Sequence, residues 1–164
     1  MPHFVEKLRV PVRVSRVGSP PISGALALSP TAELHEGPET LLECLNAPQR
    51  VLPFELADGD AVLLLNRRHL EWVAASASVE PQLVSPATFM ATREEWVRVR
   101  FASGETVEGV IAMEMPHEFN RASDYLNGED DFFPLRTTTG TWLVNKRRVT
   151  DVLVRTVVPL PKSA

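Results

Sequence analysis

The chain has one cysteine, Cys44, among 164 residues, which excludes an internal disulfide framework and any multi-cysteine metal site. It also lacks an apolar run near the roughly 20 residues that a membrane-spanning helix needs. The stretch from Met1 to Val10 has no uninterrupted apolar core of the signal-peptide kind. Together these absences read as a cytoplasmic protein that does not engage a membrane. Positive charge is not in excess either: 17 Lys and Arg stand against 21 Asp and Glu, a formal net charge of −4. Broad, charge-driven binding of nucleic acid needs many clustered cations to neutralise phosphates, so only a local basic patch remains open. The four histidines, His3, His35, His69 and His117, share no metal-ligand spacing with Cys44. There is no phosphate-cradling glycine loop, serine-nucleophile elbow or paired catalytic carboxylate motif. The expectation is a chain without catalytic residues, cofactor or metal.

Proline is abundant, 14 residues beside eight glycines, which points to many short elements cut by turns. Five stretches recur in the same order. Val12-Arg13-Val14 resembles Val97-Arg98-Val99, and Gly24 to Leu28 resembles Gly109 to Met113, both 85 positions later. Glu43-Cys44-Leu45-Asn46 matches Asp124-Tyr125-Leu126-Asn127, and Leu52-Pro53-Phe54 matches Phe133-Pro134-Leu135, both 81 later. Leu64 to Arg68 matches Leu143 to Arg147, 79 later. An offset that drifts only downward is what loop shortening between two copies of one unit produces. The expected organisation is a first repeat with its tail over 1–75, a linker over 76–95, a second repeat over 96–158 and a tail over 159–164.

Trp96 to Phe101 alternates apolar and polar residues as a half-buried strand does, and Ser103-Gly104 supplies a turn. Thr106 to Met115 reads as a longer strand that Gly109 would bend. Phe132 to Thr137, Trp142 to Asn145 and Arg148 to Val154 complete five strands. A helix is expected after the second strand of each copy: Pro38 with Glu39 to Leu45 in the first, and Glu118 to Leu126, stopped by Asn127-Gly128, in the second. A further short helix is expected from Pro86 to Arg93.

Five short strands with a glycine in the second resemble the Sm-like barrel of the Sm and LSm RNA-binding proteins. Phe101, Gly104, Val107, Gly109 and Ile111 resemble the first Sm motif, and Gly140, Val144, Val149 and Val152 keep the spacing of the second. The resemblance implies a mainly β chain of two tandem five-stranded small barrels, and edge-to-edge association. Asn145-Lys146 stands where the family has Arg-Gly, and the loop after the second strand is enlarged. Neither RNA-binding signature is intact, so the resemblance implies the fold and not uridine binding.

The polar features that recur are the turns Asn66-Arg67-Arg68-His69 and Asn145-Lys146-Arg147-Arg148. Brought together, they would offer a cationic surface to a phosphate, RNA or an acidic partner; apart, they are solvated turns that keep an edge soluble. The acidic loop from His117 to Asp131 lacks the ligand spacing of a calcium loop. Within it Arg121, Asp124, Tyr125 and Asn127 form a candidate protein-interaction segment. Cys44, beside Leu42 and Leu45, reads as a packing residue. The function expected first is a non-enzymatic interaction or scaffold module that binds a protein or its own copies; the second is RNA or nucleotide binding at the basic turns.

Overall fold

The computed structural model describes residues 7–33, 35–86, 93–113 and 122–155. It is mainly β, 51% strand and 16% helical, as the alternating apolar pattern predicts. Ten antiparallel strands form one sheet whose ends do not close on each other. In chain order they are β1 Leu8–Arg16, β2 Ile22–Leu28, β3 Val51–Leu56, β4 Val62–Asn66, β5 Leu70–Ser76, β6 Arg93–Phe101, β7 Thr106–Met113, β8 Phe132–Arg136, β9 Gly140–Asn145 and β10 Val149–Arg155. Across the sheet the order is β10-β6-β7-β8-β9-β5-β1-β2-β3-β4. Each run of five strands therefore has the same internal order, and β5 meets β9 in the middle.

Helix α1, Leu41–Asn46, lies between β2 and β3; α2, Pro81–Val84, precedes β6; α3, Ala122–Leu126, precedes β8. Two single 3-10 turns, η1 at Arg67–His69 and η2 at Lys146–Arg148, follow β4 and β9. Helix α1 starts later than Pro38 suggests because Thr40 caps it. The Thr40 hydroxyl accepts from the Glu43 N–H at 3.2 Å, and the Glu43 carboxylate accepts from the Thr40 N–H at 3.0 Å. This is a capping box, which satisfies two helix-end donors at once. The helix expected over Pro86 to Arg93 is not seen at its described ends: Arg93 opens β6, and the helical turn lies upstream, where Pro81 occupies the first helical position. Residues 87–92 lie outside the described residues, as do 114–121, which held the end of the long strand and the start of the second expected helix.

Gly109 meets a need for close approach. A Cβ there would stand 2.5 Å from the Arg136 carbonyl oxygen and 2.7 Å from Leu135 Cγ, so only glycine lets β8 cross β7 at this point. Gly24 plays the same part against Glu55 and Phe54.

Two apolar clusters form, and the β5–β9 junction feeds both. Successive side chains of a strand point to opposite faces. Val73, Ala75 and Leu143 accordingly enter the cluster of Val14, Leu26, Leu41 and Phe54. Trp72, Ala74, Trp142 and Val144 enter the cluster of Val99, Phe101, Ile111 and Leu135. Trp72 and Trp142 pack with 3.9 Å between ring centroids and their planes tilted by 31°, and the Arg13 guanidinium lies over the Trp72 ring at 5.5 Å. Burying a large apolar side chain stabilises by about 1.5–3 kcal/mol, and both Leu143 and Val73, directly opposite each other, are fully buried here. The junction is thus core rather than surface.

Candidate functional site

Each basic turn begins with an asparagine whose side chain holds the turn. Asn66 Oδ1 accepts from the Arg68 N–H, and Asn145 Oδ1 accepts from the Arg147 N–H, both at 3.1 Å. The two asparagines also share backbone angles, φ −78° and ψ 114° against φ −82° and ψ 110°. Side-chain capping of this kind satisfies a backbone donor at the start of each turn.

The β5–β9 pairing brings the two turns to the rim of one pocket of about 420 Å³. Asn66, Arg67, Arg68, Asn145 and Arg147 line it, joined by Pro48, Arg50, Asp131 and Phe132. Four arginines thus face a single aspartate. Arg147 Nε pairs with Asp131 Oδ1 at 3.0 Å, and Arg67 donates to the Leu45 carbonyl at 3.2 Å. Among the described residues, the Arg50 and Arg68 guanidinium groups have no side-chain partner and are exposed. The pocket therefore offers two uncommitted planar donors suited to a phosphate or carboxylate.

Two residues from the basic turns do other things. Lys146 turns away: its Nζ donates to the Gly128 carbonyl at 3.3 Å and lies 5.9 Å from the Tyr125 ring centroid. Burial lowers its pKa, while Asp130 and Asp131 oppose that shift. Arg148 crosses the junction, its Nε donating to the Arg68 carbonyl at 2.7 Å. Arg50, which sequence reasoning passed over, lies where β3 begins; its carbonyl accepts from the Arg67 N–H as Asp131 accepts from Lys146. That parallel, 81 positions apart, was the available signal.

The candidate interaction segment is partly placed. Arg121 lies outside the described residues. Asp124 and Tyr125 sit on α3, and both line a second recess with Lys146. Tyr125 packs edge-on against Phe133, and burial, with Asp130 adding to it, pushes its pKa up to about 12. Asn127 is exposed just past the helix. Its counterpart, Asn46, is engaged: Nδ2 donates to the Phe132 carbonyl at 3.1 Å and Oδ1 accepts from the Phe132 N–H at 2.8 Å. Asn46 thereby ties α1 to β8 across the junction. Asn145 adds a second tie, its buried Nδ2 donating to the Leu70 carbonyl at 2.9 Å.

Cys44 is buried, and that burial first, then Glu39, pushes its thiol up to about 11, which keeps it protonated and unreactive near neutrality. Among the described residues no group of three or more His, Cys, Asp or Glu is placed to hold a metal ion. Among the same residues no helix is long and apolar enough to cross a membrane.

Fold and site together define an open antiparallel sheet with an arginine-rimmed pocket over its central junction. Compared with known proteins, the chain matches no family model, no curated protein and no solved structure.

Proposed function

We propose that the chain is a non-enzymatic interaction module built from two Sm-like five-stranded units, and that it acts by adding strands to its two free sheet edges. The observation that carries this is the character of those edges. β4 and β10 terminate the sheet, and they hold Val62, Leu64, Leu153 and Val154, large apolar side chains left exposed; Leu64 is 66% exposed. An uncovered apolar edge is a template for another strand. The shared strand order of the halves and their matched asparagine-capped turns support reading them as two copies of one unit.

Leu64→Lys and Leu153→Lys test this, since both side chains are exposed and the fold does not depend on them. In pull-downs from native cell extract, proteins retained by the unaltered chain, its own copies included, are expected to survive nuclease and to be lost from both variants. Retention that disappears with nuclease, or that ignores both substitutions, overturns the reading.

The pocket favours a second reading, binding of a nucleotide or RNA phosphate between the turns. It is carried by the two uncommitted guanidinium groups, Arg50 and Arg68, on one rim. It predicts binding that weakens as salt rises and is lost in an Arg50→Gln, Arg68→Gln double variant. Binding indifferent to salt counts against it.

A further inference from the structure

The two basic turns are built alike, but the residues set against them are not. Asn66 and Asn145 cap their turns through the same bond, to the N–H of Arg68 and of Arg147. In each turn the first basic residue donates its N–H to the carbonyl of a residue elsewhere in its own half: Arg67 to Arg50 at 2.9 Å, and Lys146 to Asp131 at 2.8 Å. Arg50 directly precedes β3, and Asp131 directly precedes β8. The same backbone ties thus hold Arg50 near Arg68 and Asp131 near Arg147.

The side chains at these matched places differ in charge. In the second half a carboxylate meets a guanidinium, Asp131 Oδ1 accepting from Arg147 Nε at 3.0 Å. In the first half Arg50 takes the place of Asp131, so two guanidinium groups stand where the other half has an ion pair. Both are exposed, both line the pocket of about 420 Å³, and neither has a side-chain partner among the described residues. Like charges held near each other repel, and a carboxylate placed between two guanidinium groups removes that repulsion while accepting from both. The half with Asp131 supplies its own anion; the half with Arg50 is left to take one from outside.

We propose that Arg50 and Arg68 receive an Asp or Glu side chain of a partner protein, its carboxylate taking between them the part that Asp131 plays beside Arg147. Three features select this occupant. The anion that the fold itself sets against one of these turns is a carboxylate. Pro48, exposed and lining the same pocket, offers an apolar surface to a neighbouring residue of a peptide. Asp131 also lines the pocket, and Glu129 and Asp130 are exposed just before it. On a chain of net charge −4, those acids repel a ligand that brings one phosphate after another, whereas a carboxylate or two on a short peptide meets far less opposition. This contact belongs to the protein-interaction reading and rests on it, but it engages side chains of the pocket rather than a strand edge.

The test titrates the full chain into a fluorescent, end-capped peptide whose core, Asp-Asp-Phe, copies residues 130–132, and follows anisotropy. The peptide is expected to bind, and its Asn-Asn-Phe analogue to bind about tenfold more weakly or worse. Arg50→Asp builds in the first half the ion pair that the second half already has. It should weaken peptide binding by about tenfold or more without lowering the thermal midpoint, and Arg50→Gln should weaken binding in the same direction. Arg136→Asp makes the same change of charge at the far end of β8 from Asp131 and should leave binding nearly unchanged. A peptide that does not bind, or that binds Arg50→Asp and Arg50→Gln as well as the unaltered chain, overturns the proposal. So does an oligouridine of equal length that binds more tightly and displaces the peptide, which would assign the two guanidinium groups to phosphate. Leu153→Lys should not change peptide binding. Peptide binding that persists while the proteins retained from cell extract ignore the edge substitutions overturns the edge reading alone; loss of those proteins on Leu153→Lys with no peptide bound by any form of the chain overturns the carboxylate site alone.

Discussion

Asn66 and Asn145 provide a matched pair, because they cap equivalent turns with the same geometry and differ in burial. Replacing either by alanine removes a cap, a loss of about 0.5–2 kcal/mol. For Asn66, exposed and, among the described residues, bonded only to the Arg68 N–H, that is the whole expected effect. Asn145 is buried, and its Nδ2 also satisfies the Leu70 carbonyl. Its removal leaves that acceptor in the core without a donor, which costs a further ~1–3 kcal/mol. Asn145→Ala should therefore destabilise by roughly 2–4 kcal/mol against about 1 kcal/mol for Asn66→Ala. With a urea slope of about 2 kcal/mol per molar, the midpoints fall by roughly 1–2 M and 0.5 M. Urea unfolding followed by tryptophan fluorescence reads this directly, since Trp72 and Trp142 pack together at the junction. Equal losses would refute the claim that the junction bond, and not the turn, is what Asn145 supports.

Gly109→Ala forces a Cβ to within 2.5 Å of the Arg136 carbonyl, a backbone atom that no rotamer change can move, so a loss of about 1–3 kcal/mol is expected. Gly59→Ala, where the nearest atom is 3.9 Å away, should leave the thermal midpoint nearly unchanged. His35 and Glu43 give a pH signature: their 2.6 Å pairing accompanies a raised His35 pKa, owed first to the Glu36 carbonyl and then to Glu43. Burial opposes a lowered Glu43 pKa, but hydrogen bonds from His35 and Thr40 outweigh it. A raised histidine contributes fully below its ordinary 6.5 and loses that contribution as pH climbs through the raised value. A lowered carboxylate contributes above 4.5 and loses it as pH falls. The pair's contribution should thus peak between 4.5 and 6.5, and His35→Ala should flatten unfolding midpoints across that window.

Strand positions were legible because their signal is local. The alternation in Trp96 to Phe101 needs only one buried face, and it found the heart of β6, though the strand begins three residues earlier at Arg93. The capping box at Thr40 and Glu43 was equally local and was missed in favour of Pro38, which lies outside the helix. What a sequence pattern does not carry is the partner of a strand. Nothing in Leu70 to Ser76 or in Gly140 to Asn145 announces that they pair, because that contact joins residues some 70 positions apart. The pocket depends on the same contact: Arg67 and Arg147 were visible as repeated cations, whereas their shared rim is a product of β5 meeting β9. The recurring Leu-Asn element was visible too, but its reason, a clamp on the Phe132 backbone, exists only across the junction.

That junction buries one pair of strand edges and leaves β4 and β10 as the outer strands of the sheet. A chain held single by its sequence would blunt those ends with charge, proline or a bulge. β4 instead presents Val62-Leu63-Leu64-Leu65 without a charge. β10 has Asp151 and Arg155. On the edge reading proposed above, β4 is then the more adhesive template of the two and the charges of β10 make its side the weaker one.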